Sequence, residues 1–156
     1  KPFGTTLGDY PPVIIGSHAQ INHSIIGPGC EIYGTVTDSI LAPRTVIEEN
    51  ASVNRSVLMD ETIVGKGTSI TATICDKGVI VGPGVTLGFK TSSKPPANFE
   101  AKHLLDCQLT VIGKNARIPK DEIIGTNVII YPDVDETDFH TKMIADASTI
   151  SQIGRN

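Results

Sequence analysis

The sequence predicts an all-β chain wound as a parallel β-solenoid with triangular coils. Three observations carry this: a six-residue repeat, a 17-residue repeat above it, and an aliphatic composition. In residues 74–88, ICDKGVIVGPGVTLG, the aliphatic side chains follow neither helical spacing nor simple strand alternation. A hexad does fit: Val81-Gly82-Pro83-Gly84-Val85-Thr86, with position one aliphatic, position two often Gly and position five small or β-branched. Hydrophobic residues make up 39% but aromatics only 4%, so the core must be built from Val, Ile, Leu, Ala and Thr. Those residue types, with 15 Gly and 10 Pro for turns, favour strands over helices.

Residues 1–12 carry no hexad and read as an N-terminal linker. From residue 13 to 135 the chain reads as the β-helix domain, with good copies at Ile15, Ile26, Ile47, Val64, Ile112 and Ile124 and poorer ones between them. The stretches 39–55, 56–72 and 73–89 align without a gap at 17 residues each. Their position-one residues stack as Leu41-Leu58-Cys75, Ile47-Val64-Val81 and Val53-Ile70-Leu87. Position four is often Gly, Asn or Asp, as at Gly29, Asn50, Gly67, Gly78, Gly84, Asn115, Asp121, Asn127 and Asp133. These tolerate positive φ, which a sharp corner between flat faces requires. Positions one and five then point inward.

Residues 90–109 break the pattern and predict an excursion from one coil, with Asn98 placed to cap a short helix through His103 and Leu104. Residues 136–156 read as a C-terminal tail or cap over the last coil. The first residue is Lys, which leads to the expectation of a piece of a longer polypeptide.

A net charge of −4 without basic clusters makes nucleic acid and anionic membranes poor partners. No apolar run reaches the roughly 20 residues of a membrane span. Three irregularly spaced cysteines make neither a disulfide framework nor a zinc site, and a cytoplasmic location is expected. Cys30 and Cys75 fall at inward positions as small core residues, and Cys107 lies in the excursion.

His18 and His23 form an H-x4-H pair, but both fall on corners with no third His one coil away, so no metal site is expected. Any of His18, His23, His103 or His140 has the chemistry of a general base for acyl transfer, and spacing selects none; no catalytic residue is assigned. Lys66 and Lys77 both occupy corner position three, 11 residues apart and hence on neighbouring faces. They are the candidate effector-binding residues, two ammonium groups for an anion such as a sugar phosphate; solvated surface lysines are the alternative.

The run from Tyr10 to Gly88 resembles the carboxy-terminal domain of glucose-1-phosphate adenylyltransferase, also called ADP-glucose pyrophosphorylase. The likeness lies in the Tyr-Pro-Pro lead-in, the Ser-aliphatic-aliphatic start of each coil, SVLMD at 56–60 and ICDKGVIVGPGVTLG at 74–88. The resemblance implies a left-handed parallel β-helix, an exception to the usual crossover hand. It also implies a non-catalytic oligomerisation and allosteric-regulatory role. The partners would be the chain's own N-terminal catalytic domain and further subunits, homo- or heteromeric, as tetramers in the family. That missing domain would use ATP and Mg to convert glucose 1-phosphate into ADP-glucose and pyrophosphate for glycogen or starch synthesis; no cofactor is expected in this stretch. A family Lys in an I-I-D-K motif matches Asp76-Lys77, and implies an effector contact. Some members place an Arg where this chain has Thr71 and Ala72, so the effector, sugar phosphate or nucleotide, stays open. A hexapeptide-repeat acyltransferase and the β-helix domain of a mannose-1-phosphate guanylyltransferase are the alternatives.

Overall fold

The computed structural model describes residues 9–89 and 93–152. Strands of two or three residues alternate with tight corners and assemble into three parallel sheets. The first sheet has six strands, from Ile14–Ile15 to Arg117–Ile118. The second has seven, from Gln20–Asn22 to Met143–Ile144. The third has seven, from Ile25–Ile26 to Thr149–Ile150. As far as Ile129–Ile130 successive strands visit the three sheets in turn, so the backbone winds as a three-sided solenoid; the last circuit adds no strand to the first sheet. Among the described residues there is no α-helix; the one helical element is a 3-10 turn, Glu136–Asp138, closed by a capping box from Asp135.

The 17-residue period is the register of the sheets. Ile47 lies opposite Val64 and then Val81, Val53 opposite Ile70 and then Leu87, and Leu41 opposite Leu58 and then Cys75. Each inward side chain therefore rests on its equivalent one coil away, and all nine are at most 1% exposed. Position five is inward at Cys30, Ala51, Thr68, Val79, Val85, Ala116 and Val128, all buried. Ile25, Val57 and Ile74, fifth in the hexads of Ile21, Val53 and Ile70 and expected inward, instead face outward on the third sheet. All nine expected position-four residues have positive φ, between 56° and 71°. Repetition makes the core from residues too small for a conventional one, because a stacked aliphatic is covered above and below by its own kind.

A second set of left-handed corners carries no Gly: His23, Asp38, Arg55 and Ala72, between the second and third sheets, have φ of 46–49°. A hydroxyl ladder supports this edge. The Ser56 backbone N–H donates to Ser39 Oγ and that of Thr73 to Ser56 Oγ, both at 3.1 Å. The same hydroxyls donate to Thr37 O (2.7 Å) and Asn54 O (2.8 Å). The Ser at the start of each coil thus satisfies two backbone groups that the sharp bend removes from strand pairing.

The excursion leaves after Gly88, whose φ is 75° and whose missing Cβ would collide with the Thr71 carbonyl oxygen. Register resumes across it: Cys75 pairs with Ile112, Val81 with Ile118 and Leu87 with Ile124. The helix expected after Asn98 does not form. Asn98 is fully buried: its Oδ1 accepts from the Glu100 N–H at 2.9 Å as a cap would, but its Nδ2 is committed to the prism and no helix follows. Residues 136–156, expected as a tail or cap, contain two further strands. Met143–Ile144 pairs with Ile123–Ile124, and Thr149–Ile150 with Ile129–Ile130. The hexad pattern missed them because the coil spacing there widens to 20 residues.

Candidate functional site

Lys77 sits on the edge between the third and first sheets, directly after Thr73–Cys75, and its Nζ lies 3.3 Å from Asp60 Oδ2. Lys66 sits on the edge between the first and second sheets. Its Nζ is 3.0 Å from Glu49 Oε2, and its backbone N–H donates to Glu48 Oε2 at 2.9 Å. The hydrogen bond and charge of Glu49 hold the Lys66 ammonium above its usual range. The width of the first sheet separates the two lysines, so they do not converge on one small anion. Each arrives already paired with a carboxylate one coil away.

The four histidines lie apart. His18 lines a cavity of about 260 Å³ with Tyr33 and Glu49 on the edge between the first and second sheets. His23 is on the next edge, its Nδ1 3.7 Å from Asp38 Oδ1. His103 is exposed in the excursion, and His140 borders a cavity of about 460 Å³ beside the last coil. Among the described residues no group of three His, Cys, Asp or Glu side chains is placed to hold a metal ion. Burial pushes the Cys75 thiol up to about 12 and raises that of Cys30, so neither is a ready thiolate; Cys107 is exposed.

Two polar features near the C-terminal end were not legible in the repeat. Glu122 occupies inward position five, above the column Ala51-Thr68-Val85, and is 2% exposed. Its Oε1 receives Lys142 Nζ at 3.1 Å while the same ammonium donates to Lys120 O at 2.8 Å. A charged residue at a position otherwise small or aliphatic was the available signal. The second feature is Asn98. Its Nδ2 lies within 3.0–3.3 Å of Asn127 O, Ala147 O, Ser148 O and Thr149 Oγ1. Asn127 reciprocates, its Nδ2 donating to Pro96 O and its Oδ1 accepting from the Gln108 N–H, both at 2.8 Å. The excursion is thereby strapped to the last two coils.

The outer faces of the prism differ. Over its middle coils the second sheet presents Thr35 and Thr37, Ser52 and Asn54, then Ser69 and Thr71. The third sheet presents an unbroken apolar ladder: Ile25, Ile40, Val57, Ile74, Val111 and Ile129 are successive partners in register. The first sheet is also largely apolar, with Ile14, Val46, Ile63 and Ile80, but Glu31 and Arg117 interrupt it.

The chain is 41% identical over 147 residues to a glucose-1-phosphate adenylyltransferase of Pseudothermotoga lettingae, covering 91% of this chain and 33% of that relative. It is 46% identical over 142 residues to the enzyme of the same name from Thermotoga neapolitana, with the same two coverages. It thus spans about a third of the length of the curated relatives it matches. A solved structure, the acetyltransferase domain of PglB from Neisseria gonorrhoeae with acetyl coenzyme A, covers 92% of this chain and 58% of its own at 18% identity. Its TM-score of 0.45 is a likeness at which no functional property transfers. Residues 13–103, the hexad coils and the first part of the excursion, match the family model described as GlmU-like, C-terminal hexapeptide, and the chain belongs to that family.

Proposed function

We propose that this chain is the non-catalytic oligomerisation and regulatory domain of an ADP-glucose pyrophosphorylase-like nucleotidyltransferase. One observation carries the reading: a three-sided solenoid accounts for nearly all the described residues, while the relatives named glucose-1-phosphate adenylyltransferase are three times as long. The adenylyl transfer from ATP to glucose 1-phosphate, and the Mg that assists it, then belong to the remaining two thirds. No residue of this chain is assigned to them.

The domain's contribution is mechanical. A stiff prism whose coils share inward columns transmits displacement along its axis without bending, because close-packed interiors deform little. An anionic effector, sugar phosphate or nucleotide, held where the prism meets the catalytic domain biases that domain between two arrangements by its difference in affinity for them. Lys77 is the residue put forward for that contact. The Asp60 carboxylate beside it would be exchanged for the effector, so binding replaces one charge pair by another and stays selective for strong anions.

The test uses the longer polypeptide encoded by the reading frame that contains this chain. It is expected to make ADP-glucose from ATP and glucose 1-phosphate, and a Lys77→Ala variant to keep basal turnover while losing much of its response to fructose 1,6-bisphosphate, AMP or phosphate. Adenylyl transfer by the 156-residue chain alone would overturn the reading. Binding of acetyl coenzyme A with turnover dependent on a single histidine would replace it with the acyltransferase alternative.

A further inference from the structure

We infer that the C-terminal end of the prism carries a binding site for a small hydroxylated anion, a polyol bearing a carboxylate or phosphate, with the Glu122 carboxylate taking the hydroxyl end. The site is separate from Lys77, which stands on the opposite edge of the first sheet, and does not depend on what precedes this chain.

The fold makes the cavity by leaving out a strand. Arg117–Ile118 is the last strand of the first sheet, and where the next circuit would add another the chain makes the 3-10 turn Glu136–Asp138. Two adjoining cavities result. The larger, about 530 Å³, lies over the outer face of the first sheet, where Ile80 and Arg117 are partners in register. Glu136 and Lys142 of the last circuit wall it. The smaller, about 230 Å³, shares Pro119, Glu136 and Lys142 with it and reaches inward to Glu122, with His140 on its border. The larger is of the size of small-ligand sites.

Glu122 is the group that the fold leaves incomplete. A buried carboxylate is costly unless its oxygens are bonded. Glu122 is 2% exposed, and its Oε1 accepts from Lys142 Nζ at 3.1 Å, yet its Oε2 is buried without any hydrogen-bond partner. Lys142 already balances the charge, so what Oε2 lacks is a neutral O–H and not a second cation. The terminal torsion of a Glu side chain is broad, so a small rotation turns either oxygen to the cavity while Lys142 keeps the other.

The anion end meets Arg117 and Lys120. Both are exposed on the larger cavity, and among the described residues neither has a carboxylate within ion-pair distance, whereas Arg44, Lys66, Lys77 and Lys142 each have one. A guanidinium beside an ammonium takes a carboxylate or a phosphate. Glu136, on the wall that both cavities share, accepts a further hydroxyl and disfavours a ligand charged along its whole length. With hydroxyl acceptors inward and cations outward, the site reads a ligand by its two ends.

The experiment titrates the longer polypeptide with D-gluconate and with D-sorbitol 6-phosphate, and localises binding by hydrogen exchange. The two compounds share their hydroxyls and differ in the anion, so the tighter one tells carboxylate from phosphate. Slower exchange is expected over residues 117–124 and 136–143. Hexanoate, the carbon chain of gluconate without its hydroxyls, is expected to bind at least about tenfold more weakly, because Oε2 stays unpaired. The double variant Arg117→Ala, Lys120→Ala alters exposed side chains, and is expected to keep the melting temperature and lose at least about tenfold in affinity by calorimetry. Glu122→Gln keeps the shape of the side chain and is expected to narrow the preference for gluconate over hexanoate. No protection from either polyol at millimolar concentration would show that water fills the place beside Oε2, and would overturn the inference. Equal binding of gluconate and hexanoate, or affinity that the double variant leaves unchanged, would overturn it too.

Discussion

Residues 39–89 and residues 110–150 build the same three-sided solenoid by different means. In the first region three gapless coils of 17 residues lie in register, and the corners that turn them are Gly, Asn, the ion-paired Arg44 and Glu61, or bends supported by the Ser39–Ser56–Thr73 ladder. Each coil is the template for the next. In the second region the coil spacing stretches, a charged Glu122 takes an inward position, and a strap from the excursion reaches across two coils. Stability there depends on single polar groups that no neighbour duplicates. A periodic stack spreads its stability over equivalent contacts, and an aperiodic end concentrates it in a few that must all be satisfied.

The sharpest break of this comparison is in the periodic part. Leu58 is fully buried between Leu41 and Cys75 in the third sheet, so Leu58→Ala opens a cavity that the stiff stack cannot close. The expected cost is about 2–5 kcal/mol, read as a fall in the denaturant midpoint with the whole prism unfolding together. Asn98→Leu comes next and should act locally. It abandons three carbonyls and a hydroxyl, at about 1–3 kcal/mol. Hydrogen exchange should quicken over 93–109 and 143–150 while 39–89 keeps its protection; uniform quickening would show that strap and coils are one unit.

Alkaline titration separates the regions more gently. The Cys75 thiol stays protonated in the fold up to about 12, whereas the unfolded thiol ionises from its ordinary value of 9.0. The folded state therefore holds the proton more tightly, and the associated stability is complete below pH 9 and declines as pH climbs toward 12. Cys75→Val should flatten part of that decline in urea titrations at rising pH. The smallest effect belongs to the edges. Lys66→Ala removes an exposed ion pair with Glu49 and should leave the melting temperature unchanged within error. A clear drop would mean that Lys66 supports the corner through more than its charge.

Much of the prism was legible because its information is local and repeated. Position one identifies the inward residues of the regular coils, and every expected position-four residue adopts positive φ. Position five points inward in the hexads of the first and third sheets and at Val128. Ile25, Val57 and Ile74, fifth in the second-sheet hexads of Ile21, Val53 and Ile70, face outward because those hexads are one residue short. The limits show where repetition ends. Val36, fifth in the hexad that begins at Ile32 and so expected inward, is buried but stands in the position-one column between Ile21 and Val53, because the corner at Gly34 is shortened and the pairing Ile21–Val36 spans 15 residues rather than 17. The strands at Met143–Ile144 and Thr149–Ile150 were hidden by the opposite change. Asn98 looked like a helix cap because cap and strap demand the same side chain; only the carbonyls of residues 127, 147 and 148, remote in sequence, distinguish them. For the two lysines, position three was visible, yet which edge each occupied, and the carboxylate each meets, depended on counting through three faces.

By itself the sequence determined the winding of the chain, the period of its register and the identity of nearly every inward residue. A repeat writes the same local instruction at each turn, and stacking like on like follows from it without knowledge of distant parts. Tertiary structure alone decided where the excursion folds back, that Glu122 Oε1 meets Lys142, and that the outward Ile and Val of six coils line up on one face. Those outcomes join residues far apart in the chain, and no local period encodes which distant groups will meet.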